Sequence, residues 1–211
     1  DLGARFTKWR AVYNIGEKYP SSQSIKSNAH ALARYAALVQ EARMVPIVEP
    51  EVLMDGSHTI DECLQSTKTV LEIVFEELSF NEVYLGGILL KPNMVISGMK
   101  CKRQSSAEEV KDKTLKCLKN CVPNDVPGIV FLSGGQPNER ATHHLNLMNK
   151  KDNLPWNLSF SYGRALQQPA ILSWGGKDEN ILNSQKSLLK RARLNSLATK
   201  GEYKTSMEDD N

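Results

Sequence analysis

Lys91 closes the apolar run Gly86-Gly87-Ile88-Leu89-Leu90 and is followed by Pro92-Asn93-Met94. An amine at the end of a buried apolar strand is costly to keep charged, and the deprotonated amine is the form that attacks a carbonyl to give a Schiff base. Pro92 holds the preceding lysine in extended geometry, because a residue before proline is pushed out of helical backbone. A lysine that merely points from a strand end into solvent is the alternative. In Pro46-Ile47-Val48-Glu49-Pro50-Glu51 an ionisable residue again ends an apolar segment and precedes a proline. Glu49 and Glu51 are two apart, so in extended chain they share a face and can divide acid and base roles near the lysine. Glu51 capping a helix or pairing with a surface cation is the plainer reading.

Two further segments suit an anion. Gly128-Ile129-Val130-Phe131-Leu132-Ser133-Gly134-Gly135-Gln136 places glycines directly after a buried strand, where backbone N–H groups can approach an anion closely and Ser133 adds a hydroxyl. Leu158-Ser159-Phe160-Ser161-Tyr162-Gly163-Arg164 ends with serine, glycine and a guanidinium able to grip a phosphate with two parallel bonds. Ser-Gly-Gly alone is usually only a turn, but two such loops in successive units are a stronger signal. Phe6-Thr7-Lys8-Trp9-Arg10 sets Lys8 and Arg10 on one strand face, as a second anion site or as a solvated pair.

The elements that must position these groups alternate. Strand-like segments are Val45 to Val48, Glu82 to Leu90, Gly128 to Leu132 and Leu158 to Tyr162. Helical periodicity runs over Ser24 to Met44, Thr59 to Leu78, a helix opening at Ser106, one starting near Pro137, one after Arg164 and one from Asn180 to Leu197. Thr59-x-x-Glu62 and Ser106-x-x-Glu109 have the capping-box pattern. Strand–helix alternation predicts an α/β fold with a parallel sheet, either doubly wound or a (β/α)8 barrel. No GxGxxG follows an early strand, so the barrel leads. Lys8, Glu49, Lys91, Ser133 and Arg164 each close a strand-like segment, 41, 42, 42 and 31 residues apart. Chemistry in barrels sits at strand C-termini, and five units at this pitch fill the chain, so about five of eight are expected. Pro169, inside the helix after Arg164, is expected to kink it unless it falls in the first turn.

Composition excludes several classes. Of 211 residues 40% are hydrophobic and 24% charged, ordinary globular values. The net charge of +3 is mild, with acids and bases interspersed, which argues against a nucleic-acid partner. No apolar run approaches the roughly 20 residues of a membrane span. Asp1 to Arg10 is too charged to be a secretory signal. Cys63, Cys101, Cys117 and Cys121 match no zinc spacing and read as free thiols of a reducing compartment. Neither His30 nor His58 stands out, and the adjacent His143 and His144 cannot face one metal on a helix, so no metal is expected.

Taken in order, Gly3-Ala4-Arg5-Phe6-Thr7-Lys8-Trp9-Arg10, Val48-Glu49-Pro50-Glu51, Leu89-Leu90-Lys91-Pro92-Asn93-Met94, Phe131 to Gln136 and Ser159 to Gln167 resemble the class I, Schiff-base fructose-bisphosphate aldolases. The resemblance covers Leu2 to about Gly201 and corresponds to the barrel from its fourth strand onward, with residues 1–198 as barrel and 199–211 as tail. It implies a cytoplasmic lyase of glycolysis and gluconeogenesis, a homo-oligomer, usually a tetramer, acting on a phosphorylated sugar with no metal cofactor. Lys91 would form the Schiff base, Glu49 would transfer protons with Glu51 beside it, and Lys8 would stand near the reacting carbons. Arg10 would lie near one phosphate; Ser133, Gly134, Gly135, Ser161, Gly163 and Arg164 would bind the other. Strands of the family that carry a catalytic aspartate and a further phosphate-binding lysine have no counterpart here, which admits a second reading, a non-catalytic relative that binds a phosphosugar or a protein. The sequence ends in Ser206-Met207-Glu208-Asp209-Asp210-Asn211 rather than in the tyrosine many members carry, which leaves preference for the bisphosphate open.

Overall fold

The computed structural model describes residues 2–150 and 153–209. Five strands form one parallel sheet in chain order: β1 Phe6–Tyr13, β2 Val45–Val52, β3 Leu89–Leu90, β4 Gly128–Phe131 and β5 Asn157–Phe160. The helices are α1 Ser22–Glu41, α2 Ile60–Phe80, α3 Ala107–Cys121, α4 Asn138–Asn149, α5 Arg164–Trp174 and α6 Ile181–Ala198. When spatial order follows chain order and every crossover has the same hand, the helices stay on one face and the sheet curls toward a barrel. A doubly wound sheet would instead reverse its order at a switch point. The order β1-β2-β3-β4-β5 therefore decides between the two architectures in favour of barrel wall.

Local chemistry explains the helices. α1 turns Ile25, Ala29, Leu32, Ala33 and Ala36 inward at spacings of three and four, and these pack with Val70, Leu71 and Val74 of α2 in the core. Both capping boxes form: Thr59 with Glu62 at the start of α2, Ser106 with Glu109 at the start of α3. Pro169 lies at the sixth position of α5, past the first turn, and the helix runs on to Trp174. After α6 the tail folds back onto the body: the Tyr203 amide donates to Asn146 Oδ1 (2.9 Å), and Arg191 Nη1 reaches both Glu208 carboxylate oxygens at 2.7 Å. The last two tail residues, Asp210 and Asn211, fall outside the described residues.

Strand limits differ from expectation in four places, the smallest being β4, which ends at Phe131 rather than Leu132. β2 does not stop at Val48 but continues to Val52, paired with β1 through Tyr13, so Glu49 and Lys8 lie within strands rather than at their ends. The odd-numbered amides of β2 face β1, as in Val45 N to Arg5 O and Leu53 N to Tyr13 O, which turns the positions without N–H at Pro46 and Pro50 toward β3. β3, expected from Glu82, is only Leu89–Leu90, because the Gln40 side chain binds both the N–H (3.0 Å) and the C=O (2.8 Å) of Tyr84. The Tyr84 ring then lies over Gly86 and Gly87, where a Cβ would meet it, and residues 85–87 form a tight turn. β5 ends at Phe160, leaving Ser161 and Tyr162 in the loop.

Above β2 and β3 the two loops are bonded together. Gly98 N, Met99 N and Lys100 N donate to His58 O, Met54 O and Gly56 O at 2.9, 2.8 and 2.8 Å. A Cβ at Gly98 would sit 2.5 Å from Gly56 O, which no side chain can tolerate without moving the loop. Gly98→Ala should therefore lower stability by about 1–3 kcal/mol, in the overpacking range. Ser106→Ala, which removes only a helix cap, should cost about 1 kcal/mol. Urea denaturation of the two variants measures both.

Candidate active site

Side chains alternate along β1 and β2, and the register sets Lys8 beside Ile47 and Arg10 beside Glu49. Lys8, Arg10, Glu49 and Glu51 thus share the face opposite the helices. On the other face Thr7 Oγ1 hydrogen-bonds Tyr35 Oη of α1 at 2.6 Å, and the Trp9 ring lies against Tyr35. Phe6 and Val12 are exposed on the same face as the charges.

Glu49 is the centre of the charged group. Its carboxylate is almost wholly buried, with Oε2 3.0 Å from Lys8 Nζ and Oε1 3.2 Å from Lys91 Nζ. Lys91 is itself only 9% exposed and follows β3 directly; its N–H bonds Val48 O at 2.8 Å, while Pro92 O accepts from Leu132 N at 3.2 Å. The lysine therefore stands between β2 and β4 at the upper edge of the sheet. Glu51 receives Arg10 Nε at 2.5 Å, which raises the guanidinium's pKa chiefly through that hydrogen bond. Burying a carboxylate is tolerable only with compensating cations, and Glu49 has two.

The other expected residues gather on the β4 and β5 side. Ser133 is buried, and Gly134 and Gly135 turn with φ of +57° and +76°, a region glycine enters freely. A Cβ at Gly135 would lie 2.9 Å from Arg164 Nη2 and 3.1 Å from Met54 Sδ, so the loop and the guanidinium are in close approach. Ser161 N bonds Phe131 O at 2.9 Å, while the exposed Gly163 is the N-cap of α5, with Arg164 its first residue. Backbone N–H groups of a helix start and a cation beside a glycine turn together suit a phosphate. Lys8, Glu49 and Lys91 are joined by contact, Arg10 and Glu51 form a second pair, and the loop residues stand apart as a third group.

Three residues that sequence reasoning gave no role hold this arrangement. Asn93 Oδ1 accepts the Val52 N–H at 3.0 Å, where β3 has ended, and its amide donates to Thr67 Oγ1 (3.0 Å) and Met94 O (3.1 Å). Gln136 donates through Nε2 to Ser133 O (3.1 Å), and its Oε1 lies 2.7 Å from His144 Nδ1. Asn93 lies inside the Lys-Pro-Asn-Met motif and Gln136 inside Ser-Gly-Gly-Gln, so position could have pointed to both; nothing in the sequence marks His144.

A one-way parallel sheet in chain order, with helices on one face and a buried lysine and carboxylate at its upper edge, is the wall of a (β/α) barrel. The model of the glycolytic class I fructose-bisphosphate aldolases matches residues 1–211, and the chain belongs to that family. It is 55% identical over 205 residues to a probable class 1 fructose-bisphosphate aldolase of Xanthomonas axonopodis pv. citri, covering 96% of this chain and 61% of the relative. A cytosolic fructose-bisphosphate aldolase of Arabidopsis thaliana is 51% identical, covering 97% and 52%. The fructose-bisphosphate aldolase of Plasmodium falciparum, solved with TRAP and a small-molecule inhibitor, superposes with a TM-score of 0.94 at 48% identity, covering 96% of this chain and 59% of that one. The chain thus spans about 60% of the length of the Xanthomonas relative and of the Plasmodium structure, and 52% of the Arabidopsis relative. Among the described residues no helix is long and apolar enough to cross a membrane.

Two outcomes test the site's electrostatics. Glu49→Gln leaves Lys8 and Lys91 without their shared counter-charge and should destabilise the fold, by less than the roughly 3–5 kcal/mol of a fully enclosed pair because Lys8 is half-exposed; chemical denaturation measures it. Burial lowers the His144 pKa from 6.5 to about 3. Between those values the unfolded chain binds a proton that the folded chain refuses, so stability falls as pH drops from 6.5 toward 3, by up to about 1.4 kcal/mol per pH unit, and is unaffected above it. His58 and His143 are lowered too, so the measurement is the difference between the parent chain and His144→Asn, whose acid limb should be shallower.

Proposed function

We propose that this chain catalyses reversible aldol cleavage of fructose 1,6-bisphosphate through a Schiff base on Lys91. The observation that carries the reading is the buried Glu49 carboxylate in contact with both Lys91 and Lys8. Glu49 can draw a proton from Lys91, whose Nζ then adds to the C2 ketone to give a carbinolamine. Proton return to the hydroxyl releases water and leaves a protonated imine. The imine draws in the electron pair of the C3–C4 bond; that bond breaks, the C4 hydroxyl gives up its proton, and glyceraldehyde 3-phosphate departs. Protonation of the enamine at C3 and hydrolysis of the imine release dihydroxyacetone phosphate. The charged imine is the electron sink, so the scheme calls for no metal.

Lys8 stands beside the reacting carbons in this scheme, and Glu51 orients Arg10 toward one phosphate. Ser133, Gly134, Gly135, Ser161, Gly163 and Arg164 take the phosphate next to the ketone. The setting is the cytosol, where the Arabidopsis relative is named. A homo-oligomeric assembly belongs to the same reading. A second reading, phosphosugar or protein binding without turnover, is favoured by the openness of β1, where Lys8 and Arg10 side chains are 42% and 48% exposed.

Borohydride reduction with dihydroxyacetone phosphate should leave a mass-tagged Lys91, and Lys91→Met should abolish the adduct and any cleavage of the bisphosphate. Folded chain that binds the ketone phosphate yet yields no adduct would replace the catalytic reading by the binding one.

A further inference from the structure

The loop after β4 is held from behind. Both the backbone N–H and the side-chain Nε2 of Gln136 donate to one atom, Ser133 O, at 3.0 and 3.1 Å. Gln136 is 7% exposed, and the same Nε2 lies 3.6 Å from Met94 Sδ, three residues past Lys91. Its amide orientation is fixed at the other end, because Oε1 faces His144 Nδ1 at 2.7 Å. His144 is 1% exposed, and burial keeps its ring neutral, with the proton on Nδ1 where an acceptor waits.

The consequence falls on the next amide. The Ser133–Gly134 bond is trans, and in a trans peptide the C=O and N–H point in opposite directions. Pinning Ser133 O against Gln136 turns the Gly134 N–H away from Gln136, to the open side of the loop. Neither Gly134 N nor Gly135 N donates to any described residue. Without the pin, two successive glycines with positive φ have many backbone states available.

We propose that Gln136, oriented by His144, is a positioning residue that aims the Gly134 N–H at an incoming phosphate. It touches no substrate and acts through the Ser133 carbonyl. The inference rests on the assignment of this loop to a phosphate under the proposed function, but not on the lysine chemistry.

The test is a titration of the whole chain with inorganic phosphate, followed at the Gly134 amide by NMR, alongside borohydride trapping with unphosphorylated dihydroxyacetone. In the parent chain the Gly134 resonance should shift and saturate. Gln136→Met keeps the volume and removes the pin, and should raise the half-saturating phosphate concentration roughly tenfold or more, the worth of one charge-assisted hydrogen bond. Trapping of dihydroxyacetone on Lys91 should stay at the parent level, which a general loss of structure would not allow. His144→Leu should shift the titration in the same direction, and His144→Asn, whose amide can replace the ring N–H, should restore it. If Gln136→Met does not fold, the His144 pair decides. An unmoved Gly134 resonance in the parent chain, an unchanged midpoint in Gln136→Met, or equal behaviour of the two His144 variants overturns the proposal. A normal phosphate response with no dihydroxyacetone adduct leaves it standing and removes the lysine chemistry instead.

Discussion

A buried carboxylate shared by two lysines constrains this wall of the barrel more than any other contact. Glu49 lies on the central strand of a three-strand set, and its two oxygens face cations supplied from opposite neighbours, Lys8 on β1 and Lys91 just past β3. Slipping either register by one residue would turn a cation to the wrong face and leave the carboxylate buried without a partner. The β1–β2 ladder of eight paired positions holds one side of this arrangement, and the Lys91 N–H to Val48 O bond holds the other.

The remaining machinery is built around that centre in shells of increasing distance. Asn93 closes the top of β2 by accepting an amide that no strand reaches, and ties it to Thr67 of α2. The bonds between residues 54–58 and 98–100 join the loops that follow β2 and β3. Gln136 links the glycine turn after β4 to Met94, so the segment bearing the lysine and the segment suited to a phosphate share one side chain.

The sequence revealed the reactive residues better than the strands that carry them. Lys91, Glu49, Ser133 and Arg164 stood out because each is a polar residue at the close of an apolar run, and the helix starts were legible because capping depends on chemistry within four residues. Strand lengths were not legible. β2 extends past Val48 only because β1 offers a partner for that stretch, and Glu82 to Gly87 leaves the sheet only because Gln40 of α1, 44 residues from Tyr84, takes both polar groups of its backbone. The supporting amides of Asn93 and Gln136 are likewise defined by partners distant in sequence. The ring of His144 acquires its role solely from the fold, since an adjacent His pair has no local signature.

The two prolines of β2 give the strand an unequal grip on its neighbours. With Pro46 and Pro50 facing β3, and β3 itself two residues long, the upper half of β2 is bonded mainly to β1. Glu49 and Lys8 therefore ride on one stiff ribbon, while Lys91 belongs to the next, across a seam with sparse backbone bonding. The Glu49–Lys8 separation is therefore set by a strand ladder, and the Glu49–Lys91 separation by the Lys91 N–H to Val48 O bond, the Asn93 side chain and the joined loops above it.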